Sequence, residues 1–230
     1  MLNKALSLLR RDNVAYADMI YPILRGEVDS LQADEDGVVL LDKPSGFLFA
    51  KLPNTEGSVQ KLMQVRGVKG YYIHSDDLAD RFQKIGRRKK VLRVVQAVYL
   101  NKTAPSMPRV CSVRPLNESD ADALLAALPD DDAAAVRTVI SEGRMYGAFI
   151  GGDPVGRICI QKEGCLDLLE VRTSFRRRGV GQSLTSQLIK ELLSGGITPY
   201  CHIERSNVAA TALAESLGFT LSERELTIII

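Results

Sequence analysis

The sequence predicts a mixed α/β protein of the α+β kind, in which a largely antiparallel central sheet flanked by helices is preceded by a smaller α/β region. Three observations predict it. Residues 145–171 hold the apolar runs M-Y-G-A-F-I, V-G-R-I-C-I-Q and C-L-D-L-L-E-V, separated only by G-G-D-P and K-E-G, the turn chemistry of an antiparallel meander. Residues 168–193 then pass from the last of these strands through three arginines and two glycines into a helix. Leu184, Leu188 and Leu192 recur there at four-residue spacing, with Ile189 and Leu193 beside them. Ahead of both, residues 101–109 read N-K-T-A-P-S-M-P-R, with two prolines and no periodicity, a linker between a region 1–100 and a region 110–230.

In chain order, Leu2, Leu6, Leu9, Ala17, Ile20 and Leu24 stand at mostly helical spacing, with Asn13 dividing the stretch into two helices and Pro22 limiting its end. G-V-V-L-L-D and G-F-L-F-A-K-L are two strands of a hairpin turned by Pro44 and Gly46. A short helix over 58–65, a strand over 70–74 and a helix over 76–85 follow, the last with Ser75 as its N-cap. The basic run R-R-K-K at 87–90, a solvated loop or a nucleic-acid contact, leads into the apolar strand V-L-R-V-V-Q-A-V-Y-L. The second region begins with a strand, a turn and a helix, with Asn117 or Ser119 as cap and Asp120 and Asp122 suited to the first turn. Another helix spans 131–142. After the glycine-led helix come the strand I-T-P-Y-C-H-I-E, a helix from Asn207 and a closing pair of strands in 220–230.

At 230 residues, 45% of them hydrophobic, the chain is long enough for one large or two small cores. Thirty basic against 28 acidic residues leave a net charge of +2, so no strongly basic face is forced and a nucleic-acid partner is not expected. The start lacks a signal-peptide core and no run of about eighteen apolar residues occurs, which gives the expectation of a cytoplasmic protein with no membrane partner. Cys111, Cys159, Cys165 and Cys201 fall in strand-like segments without a C-x-x-C pair and read as free thiols. With only His74 and His202 besides, no metal site is expected.

The chemistry of 168–193 follows from where unpaired amides point. The first four N–H groups of a helix have no partner inside it, and the macrodipole adds about half a positive charge, so Gly179, Val180, Gly181, Gln182 and Ser183 form a cradle for a phosphate or pyrophosphate. Gly179 and Gly181 leave the approach clear, and Arg176, Arg177 and Arg178 add charge at its mouth. The same G-x-G also suits an ordinary tight turn.

Arg176-x-x-Gly179-x-Gly181, preceded by V-R-T-S-F and followed by a leucine-rich helix, resembles the acyl-coenzyme A signature of the GNAT superfamily of N-acetyltransferases. Residues 207–219, N-V-A-A-T-A-L-A-E-S-L-G-F, are similar to the next motif of that family, and x-x-R-P-L-x-x-x-D near 114 resembles its usual opening. The resemblance covers about 111–230. In element order alone, region 1–100 looks like the diverged half-domain of two-domain GNAT proteins of the glycine-acyltransferase type.

The resemblance implies acetyl-coenzyme A as co-substrate. It implies that the strand ending near Val171 splays from the strand 197–204, that the backbone of Leu169, Glu170 and Val171 pairs with the pantetheine arm, and that the Val171 amide polarises the thioester carbonyl. Donors of that kind are worth about 10² to 10³ in rate. Asn207 matches the family's contact to the arm and also suits an N-cap. An amine of pKa near 10.4 must lose a proton before it attacks. Strand alternation puts Cys165, Asp167, Leu169 and Val171 on one face and Leu166, Leu168 and Glu170 on the other. Asp167 is the first candidate base, Glu170 the second, and a solvated aspartate at a hairpin edge is the plain alternative. Where family members often carry a tyrosine seven residues after the asparagine, this chain has Ala214, with Tyr200 and His202 as substitute donors. The function these residues imply is acetyl transfer to a primary amine of a small molecule or amino acid, against the alternative of a non-catalytic acyl-coenzyme A binding module. The apolar ending T-I-I-I suits a buried edge strand or a homodimer contact.

Overall fold

The computed structural model describes residues 1–86, 90–106, 109–129 and 132–230. Arg87, Arg88 and Lys89 of the basic run, and Asp131 at the head of the expected helix 131–142, lie outside the described residues. The chain opens with α1 (Leu2–Leu9) and α2 (Ala17–Arg25), joined by a 3-10 turn in which Asp12 accepts the Ala15 N–H. Pro22 lies inside α2 and does not end it. Met19, Ile20 and Ile23 keep burying the same face, and the helix closes at left-handed Gly26. Then come β1 (Val28–Asp34), β2 (Gly37–Asp42), β3 (Phe47–Lys51), α3 (Glu56–Gln64), β4 (Gly70–Ile73), α4 (Asp76–Gly86) and β5 (Val91–Val98). The second region supplies β6 (Ser112–Pro115), α5 (Ala121–Ala127), α6 (Ala133–Ser141), β7 (Met145–Ile150), β8 (Asp153–Ile160), β9 (Leu166–Val171), α7 (Val180–Ser194), β10 (Tyr200–Glu204), α8 (Val208–Leu217) and β11 (Thr220–Ile229).

One eleven-stranded sheet runs through the molecule in the order β1-β2-β3-β4-β11-β5-β10-β9-β8-β7-β6. Its joints are antiparallel except β3 against β4 and β9 against β10, as the sequence led one to expect of a largely antiparallel sheet. Each region repeats one order of elements: a meander, a crossover helix to a parallel strand, a second helix and a last strand. The last strands are exchanged. β11 lies beside β4 of the first region, and β5 lies beside β10 of the second. The expected closing pair of strands is therefore one long strand, β11, irregular between Leu221 and Glu225, and β5 takes the place of its partner. β1, which the sequence did not suggest, pairs with β2 at the sheet edge.

Helices cover both faces. α7 and α8 bury Val180, Leu184, Leu188 and Leu217 against Ile158, Leu166, Ala97 and Ile203, and α3 and α4 cover the same face farther along. On the opposite face α1 and α2 seal Val94, Leu226 and Ile228, while α5 and α6 seal Met145 and Cys159. α7 comes close to the sheet at Gly156 of β8. A Cβ there would stand 2.9 Å from the Glu170 carbonyl oxygen, 3.0 Å from Leu184 and 3.3 Å from Val180. Cys111, Cys159, Cys165 and Cys201 are free thiols.

Candidate active site

The two parallel joints differ in a way that creates a cavity. β3 and β4 pair from Phe47↔Gly70 to Ala50↔Ile73, whereas β9 and β10 share only the pair Cys201↔Leu166. Beyond it the strands part, and Leu168, Leu169, His202, Asn207, Ala210, Leu213 and Ala214 line a gap of about 220 Å³. The edge of β9 that faces this gap has no strand partner past Leu166.

A bulge shapes the gap. Against β8, Asp167 pairs with Cys159 and Glu170 with Arg157, so Leu168 and Leu169 together stand opposite Ile158, and Leu168 takes a left-handed φ of 53°. The extra residue shifts the two-residue period by one. The alternation expected from the sequence is corrected accordingly. Leu166 and Val171 share the face that packs under α7, and Asp167 and Glu170 share the other.

From the gap a second cavity of about 700 Å³ continues along Leu169, Glu170 and Val171 to Arg176, Arg177, Gly179, Val180, Gly181 and Gln182, with Asn207, Ala210 and Leu213 common to both. α7 opens here with Gly179 as its N-cap at φ 83°, an angle glycine adopts without penalty. A Cβ on Gly181 would stand 3.6 Å from Leu213 and 3.9 Å from Val171, so one methyl fits but a longer side chain would fill the channel. The three arginines are not equivalent. Arg176 donates from Nε to the Val171 carbonyl at 2.9 Å, Arg177 has a left-handed φ of 57°, and Arg178 stands over the Phe175 ring at 5.7 Å. Ser183 turns to the other flank. Its hydroxyl donates to the Gly179 carbonyl at 3.1 Å, and it lines a separate hollow with Cys111, Arg109 and Lys190. Asn207 accepts the Ala210 N–H at 3.0 Å, which makes it the N-cap of α8 at the junction of the two cavities.

The titratable candidates separate by surroundings. Asp167 is exposed, accepting the Leu168 N–H at 2.7 Å and the Gln161 side-chain amide at 3.0 Å. Half-buried Glu170 is held by Arg157, 2.8 Å away and 3% exposed. Tyr200 is wholly buried. Its hydroxyl donates to the Glu163 carbonyl at 2.7 Å and burial pushes its pKa well up, so it is no proton donor to the gap. His202 does line the gap, with Nε2 3.1 Å from Gln96 Oε1 and Nδ1 3.5 Å from the Cys165 thiol. Burial lowers its pKa from the ordinary histidine value, the Asp18 carboxylate raising it less than burial lowers it. Behind His202 stands Asp18, fully buried, its Oδ2 accepting from His74 Nε2 at 3.0 Å. Sequence reading missed Asp18, Gln96 and His74 as site residues, because Gln96 meets His202 only through the β5–β10 pairing and Asp18 and His74 reach it only through the packing of α2 and the end of β4. Among the described residues no group of three or more His, Cys, Asp or Glu side chains is arranged to hold a metal ion.

Known proteins resemble this chain in part of its sequence and in its fold. Residues 152–228 match the family model described as FR47-like protein. Over 58 residues the chain is 45% identical to the [ribosomal protein bS18]-alanine N-acetyltransferase of Salmonella typhimurium, a match covering 25% of this chain and 39% of that protein's length. A Drosophila protein of known structure superposes on 100% of the chain and 95% of its own at 14% identity and a TM-score of 0.68. A GNAT-family acetyltransferase from Colwellia psychrerythraea does so on 100% and 97%, at 15% identity and a TM-score of 0.54. A GCN5-related N-acetyltransferase from Kribbella flavida covers 98% and 95%, at 13% identity and a TM-score of 0.57. The fold is thus the GNAT fold. Within it, residues 152–228 carry the FR47-like sequence.

Proposed function

We propose that the protein is an acyl-coenzyme A dependent N-acyltransferase that moves the acetyl group of acetyl-coenzyme A to a primary amine. The observation that carries this reading is the continuity of the β9/β10 gap with the channel to the α7 N-terminus, around the unpaired edge of β9. The residues fit the cofactor. Arg176, Arg177 and the amides from Gly179 to Gln182 would hold the pyrophosphate, the edge of Leu169 to Val171 would pair with the pantetheine arm as an added strand, and the carboxamide of Asn207 would meet the same arm. Bound there, the cofactor supplies an activated acyl group, and the Val171 amide is the donor for its carbonyl oxygen.

The acceptor we infer is a small-molecule or amino-acid amine that enters on the face of Asp167 and Glu170, with α2 of the first region as one wall. That region is, on this reading, a diverged half-domain whose own parallel joint is fully paired and has no gap. The likeness to an enzyme named for a ribosomal-protein alanine makes a peptide α-amine the competing acceptor. Thiol release from acetyl-coenzyme A, measured with glycine, a diamine and an alanine-initiated peptide, tests both. Turnover on free amines supports the reading, and turnover on the peptide alone moves the acceptor to protein. One observation favours a non-catalytic binding module: α8 offers the gap only Ala210, Leu213, Ala214 and Leu217, without a hydroxyl to protonate the leaving thiolate. Saturable cofactor binding with no thiol release on any amine would establish that module instead.

A further inference from the structure

We propose that His202 takes the proton of the acceptor amine, and that Gln96, Asp18 and His74, all from the first region, hold its ring in the form that does so. The proposal rests on the acyltransferase reading above. Gln96 Nε2 donates to the Val14 carbonyl at 2.7 Å, and Gln96 Oε1 accepts the Asp18 N–H at 3.1 Å. That oxygen faces His202 Nε2 at 3.1 Å and can only accept, so Nε2 carries the hydrogen and the lone pair is on Nδ1, where the Cys165 thiol 3.5 Å away frees it by donating instead to the Leu166 carbonyl at 3.4 Å. Asp18 Oδ2 stands 3.8 Å from the same Nε2, and His74 Nε2 donates to it. A carboxylate so placed favours an imidazolium once Nδ1 has been protonated.

The groups around His202 come from every neighbouring element. They are Asp18 of α2, His74 just past β4, Gln96 of β5, Cys165 at the mouth of β9, Asp167 of β9, and the rings of Tyr72 and Tyr200, 5.4 and 5.8 Å from the imidazole centroid. Burial opposes charge on the ring and Asp18 and Asp167 favour it, His74 working against them. The neutral ring is therefore the resting form near pH 7, as a base requires.

The acceptor arrives as an ammonium ion and gives one proton to Nδ1. The neutral amine attacks the thioester carbonyl carbon, and a C–N bond forms as the C–S bond breaks. The nitrogen's second proton goes to the departing sulfur, which leaves as the thiol. His202 then returns its proton to water, so each turnover releases one.

The test compares the intact protein with His202→Gln and His202→Ala, using acetyl-coenzyme A with glycine and with an alanine-initiated peptide. Cofactor binding is followed by calorimetry, kcat and KM by thiol release across pH. Unchanged cofactor affinity, a fall in kcat of about 10² to 10⁴, loss of the acidic limb of the pH profile and partial rescue of His202→Ala by added imidazole are the expected results. Wild-type kcat and an intact acidic limb in His202→Gln would overturn this role and leave the acyltransferase reading standing, whereas no cofactor binding by the intact protein would overturn both. The chain has two histidines, so nitrogen NMR of the unmodified protein resolves each ring and decides the matter should the variants not fold or neither amine react. A neutral Nε2–H ring at pH 7 is expected for His202, and an Nδ1–H ring or an imidazolium there would overturn the proposal.

Discussion

At the residue scale, buried charge sets the pH response. Glu163 is 5% exposed, its side chain accepts the Tyr72 hydroxyl at 3.1 Å, and burial pushes its pKa up to about 6 from the ordinary 4.5. Because the folded pKa lies above the unfolded one, the folded state binds more protons between these values. Its stabilising contribution is full below about pH 4.5 and is lost as pH rises through about 6, roughly 2 kcal/mol in all. Urea unfolding of the wild type and of Glu163→Gln from pH 4 to 7.5 should therefore diverge by that amount, the variant keeping stability that the wild type loses. Parallel curves would show that folding does not raise the pKa of this carboxyl. Nothing in K-E-G announces this role. The sequence marks Glu163 as a turn residue, and the packing of Tyr72, Tyr200 and Arg25 around it, from elements far away in the chain, buries it.

At the element scale, the meander, the glycine-led helix and the Asn207 helix were legible, since each is announced by local apolar period and turn chemistry. The bulge at Leu168 and Leu169 was not. Alternation along β9 reads cleanly in the sequence, and the slip exists only in its register with β8. β1 escaped notice for a similar reason: V-D-S-L-Q-A-D is mostly polar and is held as an edge by β2. Gly156 joins two elements and gives a direct prediction. Gly156→Val would drive side-chain atoms into Leu184 and Val180, push α7 off the sheet and cost about 1 to 3 kcal/mol, as overpacking of a tight contact does. Acetyl-coenzyme A affinity should fall with it, because the α7 N-terminus moves. Unchanged stability, read by denaturant midpoint, would mean that the close approach is not a constraint.

At the scale of the whole molecule, the exchanged strands make the two regions interdependent. β10 pairs with β5, and β11 with both β4 and β5, so a fragment 110–230 would leave β11 without either strand partner, expose one edge of β10 and strip Gln96 and Asp18 from behind His202. Expressed alone, it should be insoluble or lack a cooperative transition, and co-expression with 1–109 should restore a one-to-one complex. An independently folded fragment with full cofactor affinity would contradict this. Composition marks 101–109 as a break, and no sequence pattern says which region a strand joins beyond it. The central claim, that the α7 N-terminus and the β9/β10 gap hold acetyl-coenzyme A, is tested most directly by calorimetric titration of the intact protein beside Gly181→Glu. Saturable one-to-one binding that the variant loses, its carboxylate filling the channel and opposing the pyrophosphate, is the predicted result. No binding by the intact protein, or equal binding by both, would contradict it.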